Sequence, residues 1–112
     1  MTFDELKKNK PTTSWVEYDE DGEFFTEENI SATNKVLDTY INNLQKLGNN
    51  PTEVEIMQVV QEVVININEL NVEHDNFIET MAREDLYDFI DTAAQIAGLE
   101  SEEDITEEWR EW

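Results

Sequence analysis

The sequence predicts a mainly α fold: three principal helices, a short C-terminal helix and a small N-terminal β-hairpin. Three observations carry that expectation. Apolar residues recur at three-to-four spacing over residues 26–47, 51–71 and 81–97. Helix-terminus signals fall where this periodicity starts and stops. Asp21-Gly22 stands between two short aromatic-rich runs, a strong local hairpin signal. At 112 residues the chain suits one domain, residues 1–112.

Residues 1–14 hold Lys7, Lys8 and Lys10, and Pro11 stops any helix that starts near Thr2. Phe3 and Leu6 could dock this segment on the core. Residues 15–25 form the expected hairpin, with Trp15, Tyr18, Phe24 and Phe25 as its strand side chains. Residues 26–112 are the helical part. Thr26 is the N-cap expected for the first long helix, and Glu27 and Glu28 suit its positive end. Its apolar face is Ile30, Val36, Leu37, Tyr40, Ile41, Leu44 and Leu47, with Gly48 as the stop.

Asn50-Pro51-Thr52-Glu53 supplies a cap, a proline at the first helical position and a glutamate two residues on. A second helix then runs from Pro51 to about Asn71. Ile56, Val60, Val63, Ile67 and Leu70 share its stripe, widened by Met57, Val59 and Val64. A stripe this wide could also hide a dimer interface, so the oligomeric state stays open. Residues 72–80 are a break. Thr80 is the expected cap of the third helix, Met81 to Ala97, with Leu86, Phe89, Ile90, Ala93 and Ala97 inward. Gly98 and Leu99 predict a Schellman stop. Ile105, Trp109 and Trp112 fall at spacings of four and three, as one face of a short last helix.

Composition narrows the chemistry. There are 28 acidic and 7 basic residues, for a net charge of −21, and no cysteine. That charge disfavours nucleic acid and anionic lipid as direct partners. No apolar run reaches membrane-spanning length and no secretory h-region opens the chain, so the expected location is the cytoplasm. The absent cysteines remove disulfides, thiol nucleophiles and Cys-based zinc sites. His74 has no second histidine to build a metal site with, and no serine has a nucleophile-elbow context. No catalytic residue, cofactor or metal ligand is assigned, and the chain is expected not to be an enzyme. One alternative is a calcium loop over residues 17–28, with Glu17, Asp19, Asp21, Gly22 and Glu28 in register; Phe25 and Pro11 oppose it.

The acid is unevenly placed. Residues 13–29 carry −7, residues 51–72 carry −4, and residues 73–91 and 92–112 carry −6 each. The first long helix is nearly neutral. On the third helix Glu84, Asp88 and Asp91 fall at i, i+4 and i+7, with Asp85 beside them and Arg83 the one basic residue. Such a face either solubilises the chain or steers a basic partner. The expected partner site is Glu84, Asp85, Tyr87, Asp88 and Asp91, with Trp109 and Trp112 as aromatic anchors. Exposure is expected for Trp112.

The segments VEHDNFIETMAREDLYDFID and SEEDITEEWREW, in a small, cysteine-free, helical chain, resemble the immunity proteins of bacterial toxin–immunity systems. The resemblance extends over roughly residues 26–112. It implies an acidic surface that covers the basic nucleic-acid-binding face of a nuclease toxin. The competing expectation is a nucleic-acid mimic of the anti-restriction or anti-CRISPR type, which needs carboxylates spread over an elongated surface.

Self-repulsion at this charge opposes folding, and salt screens it. The melting temperature at neutral pH should rise between about 0.01 M and about 1 M salt, where the Debye length falls from roughly 30 Å to 3 Å. A flat or falling curve would show that repulsion does not limit stability. Low pH is expected to be tolerated for the same reason.

Overall fold

Each long helix buries the stripe its spacing predicts. The computed structural model describes residues 2–19, 25–48, 50–100 and 105–112. Among them lie five helices: α1 (Phe3–Lys8), α2 (Thr12–Tyr18), α3 (Glu27–Lys46), α4 (Glu53–Glu73) and α5 (Thr80–Ala97). The α3–α4 pair is the most extensive, α5 packs on both, and α1 and α2 pack on α3. Leu37, Ile41 and Leu44 of α3 meet Ile56, Val60 and Ile67 of α4 and Leu86 and Ile90 of α5 in one buried core.

The helix ends follow local hydrogen bonding. Thr26 Oγ accepts the Asn29 N–H at 3.1 Å, as expected of the cap of α3. The cap of α4 is Thr52, two residues beyond the expected one. Thr52 Oγ accepts the Glu55 N–H at 3.1 Å and Glu55 Oε1 accepts the Thr52 N–H at 3.0 Å, so a capping box satisfies two donors at once. α4 also runs on to Glu73, with His74 at its C-cap. α5 begins at Thr80, and Glu79 holds the N-cap position without a side-chain bond. Gly98 is left-handed at φ +116, and the Leu99 N–H reaches the Ala94 carbonyl at 3.0 Å, the predicted Schellman stop.

The N-terminal hairpin is not present. No strand occurs among the described residues, and its expected first arm is the helix α2. Side-chain geometry explains the difference. Trp15 and Thr12 are the buried residues of α2, and three-residue spacing puts both on one helical face. A strand would instead have turned Glu17 inward with Trp15. Asp21-Gly22 and Phe24 lie outside the described residues. Phe25 is buried and stacks on Trp15, ring centroids 4.9 Å apart.

The short C-terminal helix is also not found. Residues 105–109 form a turn in which the Trp109 and Arg110 N–H groups share the Thr106 carbonyl. Residues 101–104 lie outside the described set. Asn68 of α4 competes with helix formation here. Its Nδ2 donates to the Trp109 carbonyl at 2.8 Å and its Oδ1 accepts the Glu111 N–H at 3.0 Å. The Glu111 N–H is thereby bonded to α4 rather than to the Glu107 carbonyl of a helical ladder.

Tyr40 ties α3 to α5. Its buried hydroxyl donates to the Ile90 carbonyl at 2.8 Å. Burial raises the phenol above the ordinary tyrosine range, and Asp91 acts in the same direction. The native state therefore keeps a proton that the unfolded chain releases above about pH 10. This group should add no pH dependence to stability below that pH and should lower stability above it. Tyr40→Phe should cost about 1 kcal/mol at neutral pH. In alkaline denaturant titrations it should flatten the fall; an unchanged slope would assign the fall to other groups.

Candidate partner-binding surface

The structure divides the expected acidic site. Glu84 and Asp88 are exposed on α5, one turn apart. Asp85 is turned inward and its Oδ2 accepts the Trp15 indole N–H at 2.9 Å. Asp91 is half-buried and its Oδ2 accepts Gln95 Nε2 at 2.8 Å. Tyr87 is half-buried. Asp85 and Asp88 also line a shallow groove against Leu6, Asn9 and Pro11.

The nearest lysines do not cover this face. Lys7 Nζ donates to Asn42 and Gln45, and Lys10 pairs with Asp38 at 2.8 Å, all on α3. Lys7 and Lys10 are thus engaged with α3, and Glu84 and Asp88 are exposed.

The expected exposure of Trp112 is overturned. Its side chain is 7% exposed and packs with the core. Arg110 lies over its ring, 5.4 Å from the centroid. Trp109 is half-buried against the core, with its carbonyl held by Asn68. The physical reason is the docking of residues 105–112 on α4. Neither tryptophan stands on α5 beside the acidic row.

A second acidic surface is assembled only by the fold. The start of α3 meets the α4–α5 turn in an open cleft of about 450 Å³. Glu28 comes from one side, and Glu73, Asp75 and Glu79 from the other, with His74 between them. No lysine or arginine lines it. The turn is built by Asn71, whose Oδ1 accepts the Ile78 N–H at 3.0 Å, and by positive φ at Asp75 and Asn76. Asparagine and aspartate tolerate that conformation better than most residues.

Phe77 and Glu79 also line an adjoining recess of about 300 Å³. Tyr18, Phe25, Met81 and Ala82 complete it, and Tyr18 is largely exposed. A carboxylate cleft beside an aromatic recess suits an arginine or lysine side chain: charge meets the head, and apolar surface meets the stem. Among the described residues no group of three or more carboxylates or histidines is placed to hold a metal ion. Of the calcium-loop residues, Asp19 Oδ2 accepts the Phe25 N–H at 2.8 Å, Glu17 lies on α2 and Glu28 on α3; residues 20–24 lie outside the described set. Among the described residues no helix is long and apolar enough to cross a membrane.

Glu73, Asp75 and Glu79 are acidic in any reading of the sequence. Their convergence with Glu28 has no sequence signal, because 45 residues separate Glu28 from Glu73. Compared with protein-family models, curated proteins and solved structures, the chain has no match.

Asp85→Ala should destabilise the fold by about 1–3 kcal/mol, because the buried Trp15 donor loses its acceptor. Asp85→Asn keeps an acceptor oxygen and should cost less in urea unfolding. Equal, negligible losses would remove the structural role assigned to this carboxylate.

Proposed function

We propose that this is an acidic binding protein that neutralises a basic protein partner, as the immunity proteins of toxin–immunity systems do. The partner type is a nuclease toxin or another nucleic-acid-binding enzyme. One observation supports this reading most directly. Four carboxylates converge on an open cleft without a basic residue, beside a recess edged by exposed Tyr18. A compact acidic patch with an aromatic anchor is what a single basic protein surface needs for affinity and for sign-based specificity. The exposed Glu84 and Asp88 extend the attractive field and steer encounter. In this reading the protein works in a bacterial cytoplasm, has no catalytic activity of its own and requires no cofactor.

The nucleic-acid mimic keeps one supporting observation. The molecule is 43 Å along its longest axis and carries 21 net negative charges, about 2 Å per charge. Duplex DNA carries one charge per roughly 1.7 Å of axis. Both readings place the chain on the basic face of a nucleic-acid-binding protein. They differ in how many such proteins it accepts.

Affinity capture from the native host lysate at low salt separates them. The inhibitor reading expects one basic protein, retained by the wild type and lost by Glu28→Lys combined with Glu73→Lys. Many unrelated DNA-binding proteins would favour the mimic. Equal retention by the charge-reversed variant, or nothing retained, would overturn the cleft as the site. With the partner in hand, Asp88→Lys should slow association and flatten its salt dependence.

A further inference from the structure

The outer face of α4 exposes three large aliphatic side chains. Val54, Ile65 and Val72 are 67%, 39% and 69% exposed. At 3.6 residues per turn they fall within about 20° of one another around the helix axis. Ile56, Val63 and Ile67, which bury into the core, point the opposite way. The three exposed residues therefore lie along one line about 27 Å long, opposite the buried stripe of α4, with exposed Gln58 and Gln61 between Val54 and Ile65. The exposed positions of α3 and α5 hold no large apolar side chain. Valine and isoleucine are also poorer helix formers than the polar residues usual at such positions.

Charge specifies what would cover this line. Glu55, Glu62, Glu69 and Glu73 are exposed along one flank of it, roughly 60–100° around the axis. α4 contains no lysine or arginine. The other flank is closed by residues 109–111, held through Asn68. A second copy of the chain would bring −21 against −21, and antiparallel pairing of two such faces would set one carboxylate row against the other. A straight aliphatic line edged on one side by carboxylates matches a helix with an apolar seam and a row of lysine or arginine beside it.

We propose that the outer face of α4 docks a basic amphipathic helix of a partner protein, with Val54, Ile65 and Val72 receiving its apolar seam and the glutamate row its cationic flank. This goes beyond the cleft-centred reading and takes from it only the sign of the partner.

The probe is a synthetic peptide of roughly five to six helical turns, with leucine at seam positions, lysine along one flank and glutamine elsewhere. The control is a scrambled peptide of the same composition. Fluorescence anisotropy at physiological salt should show the ordered peptide binding at least about tenfold tighter than the control, a difference of about 1.4 kcal/mol. Amide chemical-shift changes should follow α4 from Val54 to Val72. Combining Val54→Gln, Ile65→Gln and Val72→Gln leaves the net charge unchanged and should abolish that preference. Equal affinity for the two peptides, or an unaltered preference in the triple variant, would sink the proposal. So would sedimentation of the wild type as a dimer that the triple variant dissolves, because the occupant would then be a second copy. Peptide binding with failed cleft-dependent capture would leave this surface standing and remove the cleft reading; the reverse would do the opposite.

Discussion

The Trp15 indole joins parts of the chain that have no local reason to meet. It is fully buried, stacks on Phe25, and gives its N–H to Asp85 on α5, 70 residues away. Phe25 in turn meets the edge of Phe77 in the α4–α5 turn, centroids 6.3 Å apart. Both aromatic contacts lie around the start of α3 and the cleft beside it. A buried indole N–H usually finds an acceptor. Asp85, half-buried beside Asp88, supplies that acceptor. One carboxylate is thus converted from a surface charge into a structural acceptor, which sets where α2 and the α4–α5 turn sit.

The remaining carboxylates are arranged by exclusion. A core of aliphatic and aromatic residues cannot admit unpaired charge, so the acids are driven to the outer faces and the turns. Interleaved lysines would normally relieve such faces. Here Lys7 and Lys10 are engaged with α3, and α4 has none. At the cleft Glu28, Glu73, Asp75 and Glu79 line one concavity. A basic partner that entered the cleft would relieve the repulsion among them. In the proposed inhibitor reading, charge that weakens the free protein would strengthen a complex.

The departures from sequence expectation share a cause. Trp15 and Tyr18 read as strand residues because aromatic alternation around Asp21-Gly22 suits a hairpin. The helix wins because Thr12 and Trp15 must enter the core together. Trp112 reads as exposed because it is the last residue of an acidic tail. Asn68, a polar residue inside α4 with no marked role in the pattern, draws that tail onto the bundle through two hydrogen bonds. Val54, Ile65 and Val72 were legible in principle. Their spacing of eleven and seven residues marks a second face on α4, but the dense core stripe of the same helix masks it.

The three long helices, their buried faces, the Thr26 cap, the Gly98 stop and the net negative charge are legible in the sequence alone. These depend on periodicity, terminal chemistry and charge, which act within a few turns of chain or as a simple sum. Where the charged side chains come together depends on the packing of distant segments. Packing brought Glu28 to Glu73 and Glu79, tied Asp85 to Trp15, buried Trp112, and left Val54, Ile65 and Val72 exposed on α4. Those outcomes depend on which distant segments share space, and local spacing holds no record of that.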